Sequence, residues 1–70
     1  GGAPNSPHTY GKAVDILVSG SDAYRVIDLA LKLGFTGIGV SQKGPHDKRF
    51  IHLDTMTNSS SSPRPTIWSY

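Results

Sequence analysis

The stretch Arg49-Phe50-Ile51-His52-Leu53-Asp54 (RFIHLD) alternates side chains at the two-residue period of a β-strand. Ile51 and Leu53 fall on one face, and Phe50, His52 and Asp54 fall on the other. A sheet built around this strand buries its aliphatic face, so an imidazole and a carboxylate look out together from the opposite one. Before it, FTGIGVSQ at 35–42 reads as a second strand, with Ile38 and Val40 on one face and Gly37 and Gly39 on the other. Glycine at alternate strand positions permits close approach by another segment or a ligand. KGPHDK at 43–48 supplies the turn between the two strands.

Further out, AVDILV at 13–18 is a short β-type run of branched aliphatics interrupted by Asp15. The SGSD cluster at 19–22 ends it. Ser21 is an N-cap for a helix running from Asp22 to about Leu33, and Asp22 suits the positive end of the helix dipole. Ala23, Val26, Ile27, Ala30 and Leu31 recur at three- and four-residue steps, which gives that helix one apolar stripe for plain core packing. Gly34 is its stop. GGAPNSP at 1–7 is turn chemistry, and TNSSSSPRP at 57–65 is low in complexity and reads as flexible. TIWSY at 66–70 brings Trp68 and Tyr70 back to pack against the sheet. The expected fold is α+β: a small antiparallel sheet with one packed helix.

Seventy residues without a cysteine set the physical limits. One domain, 1–70, is the maximum. Below about 70–80 residues a core rarely supplies more than about 3–5 kcal/mol, so a staple is expected. Disulfides and thiolate zinc fingers are excluded by composition, which leaves a bound metal, self-association or a missing stretch of the same domain. The formal charge of +2 is spread along the chain, without the clustered Lys and Arg or interleaved aromatics of a nucleic-acid surface. No run is long and apolar enough for a membrane span or a signal peptide. The Gly1-Gly2 start suggests a processed product or an excised piece of a longer protein.

His8, Asp15 and His52 form a set that could hold zinc, which takes imidazole and carboxylate donors when thiolates are absent and keeps a fourth position open in catalytic sites. Seven extended residues span on the order of 23 Å, so His8 and Asp15 share an ion only if the chain reverses between them. Gly11 permits the bend, and Ala13 lets the returning strand lie close. Asp15 stands alone among the aliphatics of an otherwise buried strand, where a metal would stabilise its charge. Each residue also has a plain alternative. His8 suits a loop, Asp15 a turn cap, and His52 a hydrogen-bonded place on a half-exposed strand.

The string SPHTYGKAVD at 6–15 resembles the S-x-H-x-x-G-x-A-x-D motif of the zinc D-alanyl-D-alanine carboxypeptidase and L-alanyl-D-glutamate endopeptidase family, whose fold is shared with Hedgehog signalling domains. GIGV followed by RFIHLD and a closing WSY is similar to its bacterial and phage branch. The resemblance implies Zn2+ held by His8, Asp15 and His52 on the sheet face opposite the helix, with water as fourth ligand. It implies hydrolysis of an amide bond in peptidoglycan stem peptides, and a wall-facing periplasmic or extracellular, or phage-borne, location. The zinc would acidify that water and polarise the scissile carbonyl.

The sequence departs from the family pattern at the general base. Many members place an acidic residue three positions before the last histidine ligand, and here that position is Arg49. Asp54 is the substitute, either as base or as a partner that orients His52. His46 and Asp47 are turn residues of lesser promise, and Arg49 suits a surface role or a substrate carboxylate. Ser6 matches the serine of the motif, and Trp68 and Tyr70 match the aromatic ending and are candidates to line a substrate groove. Members usually carry a further N-terminal stretch before the GG segment, so the resemblance implies that residues 1–70 are part of such a domain. The rival reading is therefore a catalytically inactive module stabilised by zinc.

Overall fold

The computed structural model describes residues 12–70. Strand β1 (Ala13–Leu17) leads into helix α1 (Gly20–Leu33), then strands β2 (Gly37–Ser41), β3 (Phe50–Asp54) and β4 (Thr66–Ser69). A single 3-10 turn at His46–Lys48 joins β2 to β3. The sheet order is β1-β3-β2-β4, so the RFIHLD strand lies in the interior with a partner on each side. Among the described residues no helix is long and apolar enough to cross a membrane.

The sheet is mixed, which corrects the expected antiparallel one. β3 is antiparallel to both β1 and β2, but β4 runs parallel to β2. The reason lies in the connection at 55–65. β3 ends at Asp54, opposite Gly37 at the start of β2, and β4 begins with Thr66 opposite that same Gly37. The chain thus crosses over the start of β2 and turns back beside it, in the same direction as β2. Thr36 fastens this corner: its N–H donates to the Asp54 carbonyl at 2.9 Å, its hydroxyl to the Met56 carbonyl at 2.6 Å, and its own carbonyl accepts from the Thr66 N–H at 2.8 Å.

One face of the sheet carries the core. Ala23 and Ala30 of α1 pack with Ile38, Ile51 and Leu53, all buried, and Ile16, Val18, Val26, Ile27, Phe35 and Val40 surround them. Burying a side chain of the size of Ile51 is worth about 1.5–3 kcal/mol, so the aliphatic half of RFIHLD fixes which face meets the helix. The helix starts two residues earlier than expected. Ser19, with extended backbone, is the N-cap in place of Ser21, and it makes no side-chain cap bond. Its carbonyl accepts the Ala23 N–H at 3.3 Å. Gly34 closes the helix at φ +88°, in the left-handed region that glycine enters without a Cβ penalty.

Leu31 and Asp15 are more exposed than expected. Leu31 belongs to the apolar stripe by spacing yet stands largely exposed, because it lies about 100° around the helix from Ala30, off the sheet-facing line that Ala23 and Ala30 define. Asp15 is exposed as well, since β1 is an edge strand and four of its five residues face solvent. The serine-rich tract, expected to be flexible, carries a defined turn: Ser59 and Ser62 exchange backbone hydrogen bonds at 3.1 and 3.2 Å, and Asn58 Oδ1 accepts the Arg64 N–H at 2.9 Å. The readings made for the stretch 1–11, including His8, Ser6 and Gly11, lie outside the described residues.

Candidate functional site

The register of the four strands lines up Asp15, His52, Gly39 and Trp68 in one row across the sheet. The side chains of Asp15, His52 and Trp68 share the face opposite α1, because strand alternation sends their neighbours Ile16, Ile51, Leu53 and Ile67 to the other face. His52, on the interior strand, is the centre of the row. Its Nδ1 lies 3.0 Å from Asp15 Oδ1, its Nε2 lies 2.8 Å from Asp54 Oδ2, and its ring rests 5.3 Å from that of Trp68. An imidazole is thereby clasped between two carboxylates and backed by an indole.

The two carboxylates differ in kind. Asp15 keeps 64% side-chain exposure and is free to take further partners, whereas Asp54 has no exposure at all. The alternation of RFIHLD puts Asp54 on the expected face but not, as expected, looking out. It is roofed by Arg64, whose Nε donates to Oδ1 at 2.9 Å and Nη2 to Oδ2 at 2.7 Å, a two-point grip. The Met56 N–H donates to Oδ1 at 3.2 Å. With His52 the carboxylate holds four polar contacts, which fills its acceptor capacity. Hydrogen bonds from Arg64 hold the Asp54 carboxyl well below the usual carboxylate range, against the upward push of burial, and His52 and the Met56 N–H lower it further. Asp54 in turn holds Arg64 more firmly in its charged form.

Two glycines make room for this arrangement, and neither has the positive φ that would require glycine for conformation. A Cβ on Gly37 would run into the Asp54 carboxylate, and a Cβ on Gly39 would come within 2.7–2.9 Å of the Trp68 indole. The close approach expected of the GIGV glycines is therefore made by side chains of the neighbouring strands. Replacing Gly39 with Ala is expected to push Trp68 off the sheet and to cost about 1–3 kcal/mol. Trp68 is the only tryptophan, so its fluorescence reads the displacement directly. Unchanged emission together with an unchanged unfolding midpoint would show that the contact is loose.

The remaining candidates lie apart from the row. His46 and Asp47 occupy the exposed 3-10 turn. Arg49 is half-buried, and its Nε donates to the Gly44 carbonyl at 3.0 Å, which ties the turn to the strand. Tyr70 packs against Phe50 with ring centroids 5.2 Å apart and keeps about half its surface open to solvent. Arg64 is the residue that sequence reasoning missed. The signal was faint: one cation between two prolines at the end of a serine run, on no periodic element and 10 residues from the carboxylate it holds.

For donor chemistry, the pair Asp15 and His52 is the informative one. A neutral imidazole has one N–H and cannot donate to both flanking carboxylates, so one of the two contacts needs an added proton or a cation. Two ligands of a tetrahedral zinc ion, each about 2.0–2.1 Å from the metal, stand roughly 3.3 Å apart. The observed 3.0 Å between Oδ1 and Nδ1 is close to that spacing. Among the described residues no group of three or more His, Cys, Asp or Glu is placed to hold a metal ion. His8, the third candidate ligand, is outside those residues.

The chain is a small α+β domain with a polar row on one sheet face and a helix packed on the other. A family model described as Peptidase M15 matches residues 1–54, and the chain belongs to that family. The match supports a peptidase function. It takes in Asp15, His52 and Asp54, and it stops short of Arg64 and Trp68. Comparison with curated proteins and with solved structures returns no match.

Proposed function

We propose that this chain carries the metal site of a zinc-dependent peptidase that hydrolyses an amide bond in peptidoglycan stem peptides, of the D-alanyl-D-alanine carboxypeptidase or L-alanyl-D-glutamate endopeptidase type. His8, Asp15 and His52 are the ligands in this reading. The observation that carries it is the 3.0 Å approach of Asp15 Oδ1 to His52 Nδ1 on an open sheet face, in a member of the Peptidase M15 family. The substrate class rests on the likeness of SPHTYGKAVD and RFIHLD to the wall-peptidase motifs. When bound, zinc supplies Lewis-acid polarisation of the scissile carbonyl and makes a nearby water more acidic.

The chain's own residues do the holding. Asp54 accepts from Nε2–H of His52, which leaves the Nδ1 lone pair directed at Asp15, and the indole of Trp68 limits rotation of the ring. Of the two roles open to Asp54 from sequence, orienting His52 is the one its geometry favours. A general base needs a free lone pair and a pKa near the working pH, and the Asp54 carboxylate has its acceptor sites filled and its pKa far too low. That same observation favours a second reading, a zinc-stabilised module without catalysis, because Arg49 occupies the expected acidic position.

Metal analysis of protein purified without chelator is expected to find one zinc per chain, and absence of zinc would reject both readings. With zinc present, release of D-alanine or cleavage of L-alanyl-D-glutamate bonds in purified murein by the chain in its natural full-length context supports the peptidase. No cleavage by that zinc-loaded protein supports the module.

A further inference from the structure

The link between β3 and β4 carries, one position before its end, a residue whose partners converge on His52. The Arg64 guanidinium grips Asp54 at two points, 2.9 and 2.7 Å, and its Cζ lies 5.2 Å from the centroid of the Trp68 ring. Asp54 holds the edge of the His52 ring and Trp68 packs against that ring at a 47° tilt, so one side chain touches both groups that flank the imidazole. Arg64 is itself held. Its N–H donates to Asn58 Oδ1 at 2.9 Å and its Nη1 to the Pro63 carbonyl at 2.8 Å, while only 11% of its side chain is exposed.

We infer that Arg64 is a positioning residue that aims His52 Nδ1 at Asp15, and that the serine-rich link is the arm that delivers it. The inference rests on the reading of His52 as a metal ligand for its functional meaning, but the positioning itself is a property of the metal-free protein. A free carboxylate on a single methylene can swing about its χ angles. Gripped through both oxygens by a planar fork, Asp54 has one orientation, and Nε2 of His52 must meet it there. A lysine would supply the charge without the fork. The arm lies beyond residues 1–54 that match the family model, so the role is read from this chain's own contacts.

Three variants of the whole chain test it: Arg64→Lys, Arg64→Gln and Asn58→Ala. Two readouts are taken, the His52 ring proton resonances and ring contacts to Trp68 by NMR in metal-free protein, and zinc affinity by chelator competition. Arg64→Lys is expected to keep the fold, shift the His52 ring resonances and weaken zinc binding about 10–100-fold, the usual cost of losing a partner behind a metal ligand. Arg64→Gln is expected to do at least as much. Asn58→Ala loosens only the backbone of Arg64 from an exposed turn, so it remains informative if Arg64→Gln does not fold, and it is expected to move both readouts the same way by less.

Wild-type ring resonances in Arg64→Lys and Asn58→Ala would overturn the proposal, whatever zinc affinity does, because a loss of affinity without a change at His52 has another origin. If the wild-type chain takes up no zinc, the metal reading fails by itself. The ring resonances of the metal-free variants then still decide whether Arg64 positions His52.

Discussion

Asp54→Ala is expected to unfold most of the zinc-free chain at room temperature. Removing one member of a buried ion pair costs about 3–5 kcal/mol, because the other charge is left without its partner. Arg64 has 11% side-chain exposure and donates its shortest hydrogen bond, 2.7 Å, to Asp54, so it meets that condition. A domain of this size has about the same amount to lose. Urea unfolding followed by circular dichroism checks the loss. Replacing both partners by apolar residues, Asp54→Leu with Arg64→Met, is expected to recover most of it, since two similar-sized apolar groups leave no orphan charge. A wild-type midpoint in Asp54→Ala would mean that the pair is solvated in solution.

Acid should act on the same bond. The folded-state pKa of Asp54 lies below that of an unfolded aspartate, which is about 3.9, so the native state resists protonation where the unfolded chain accepts it. The stability this difference contributes is therefore complete above about pH 5 and is lost progressively as pH falls through the unfolded value toward the folded-state one. The Asp54→Leu, Arg64→Met chain should show a shallower acid loss over the same window.

Much of this structure could be read from short-range pattern. The alternation in RFIHLD assigned Ile51 and Leu53 to the core and His52 to the opposite face because strand geometry leaves no other choice. Gly34 announced the end of α1 for a similarly local reason. Three features escaped because their causes are not local. The direction of β4 depends on which strand the 55–65 link crosses. The exposure of Asp15 depends on β1 being an edge. The burial of Asp54 depends on an arginine 10 residues away, in a tract whose composition suggests nothing but solvent. The polar site was thus visible as a list of residues, and its mechanics were not: Asp54 shares a face with His52, but Arg64 decides what that carboxylate can do.

Gly37 offers the second large effect, and a way to isolate its cause. It sits on interior strand β2, paired with Asp54 on one side and Thr66 on the other, so its backbone cannot retreat from a clash in either direction. A methyl group there meets the carboxylate, and the carboxylate is clamped by Arg64. Gly37→Ala is therefore expected to cost more than the 1–3 kcal/mol typical of overpacking and to approach the roughly 3–5 kcal/mol of breaking the pair. Gly39→Ala should cost less, because an indole at the sheet edge can tilt outward. If the carboxylate is the obstacle, the damage must vanish once the carboxylate is gone. Adding Gly37→Ala to the Asp54→Leu, Arg64→Met background tests a crowded replacement, whereas adding it to Asp54→Ala, with denaturant titrated down in a stabilising osmolyte so that folded protein is populated, tests an empty one. In the latter pair the second substitution is expected to add almost nothing, a coupling energy nearly equal to the whole single-variant loss. Additive losses would place the strain of Gly37→Ala in the backbone of β2 and remove the assigned reason for glycine at that position.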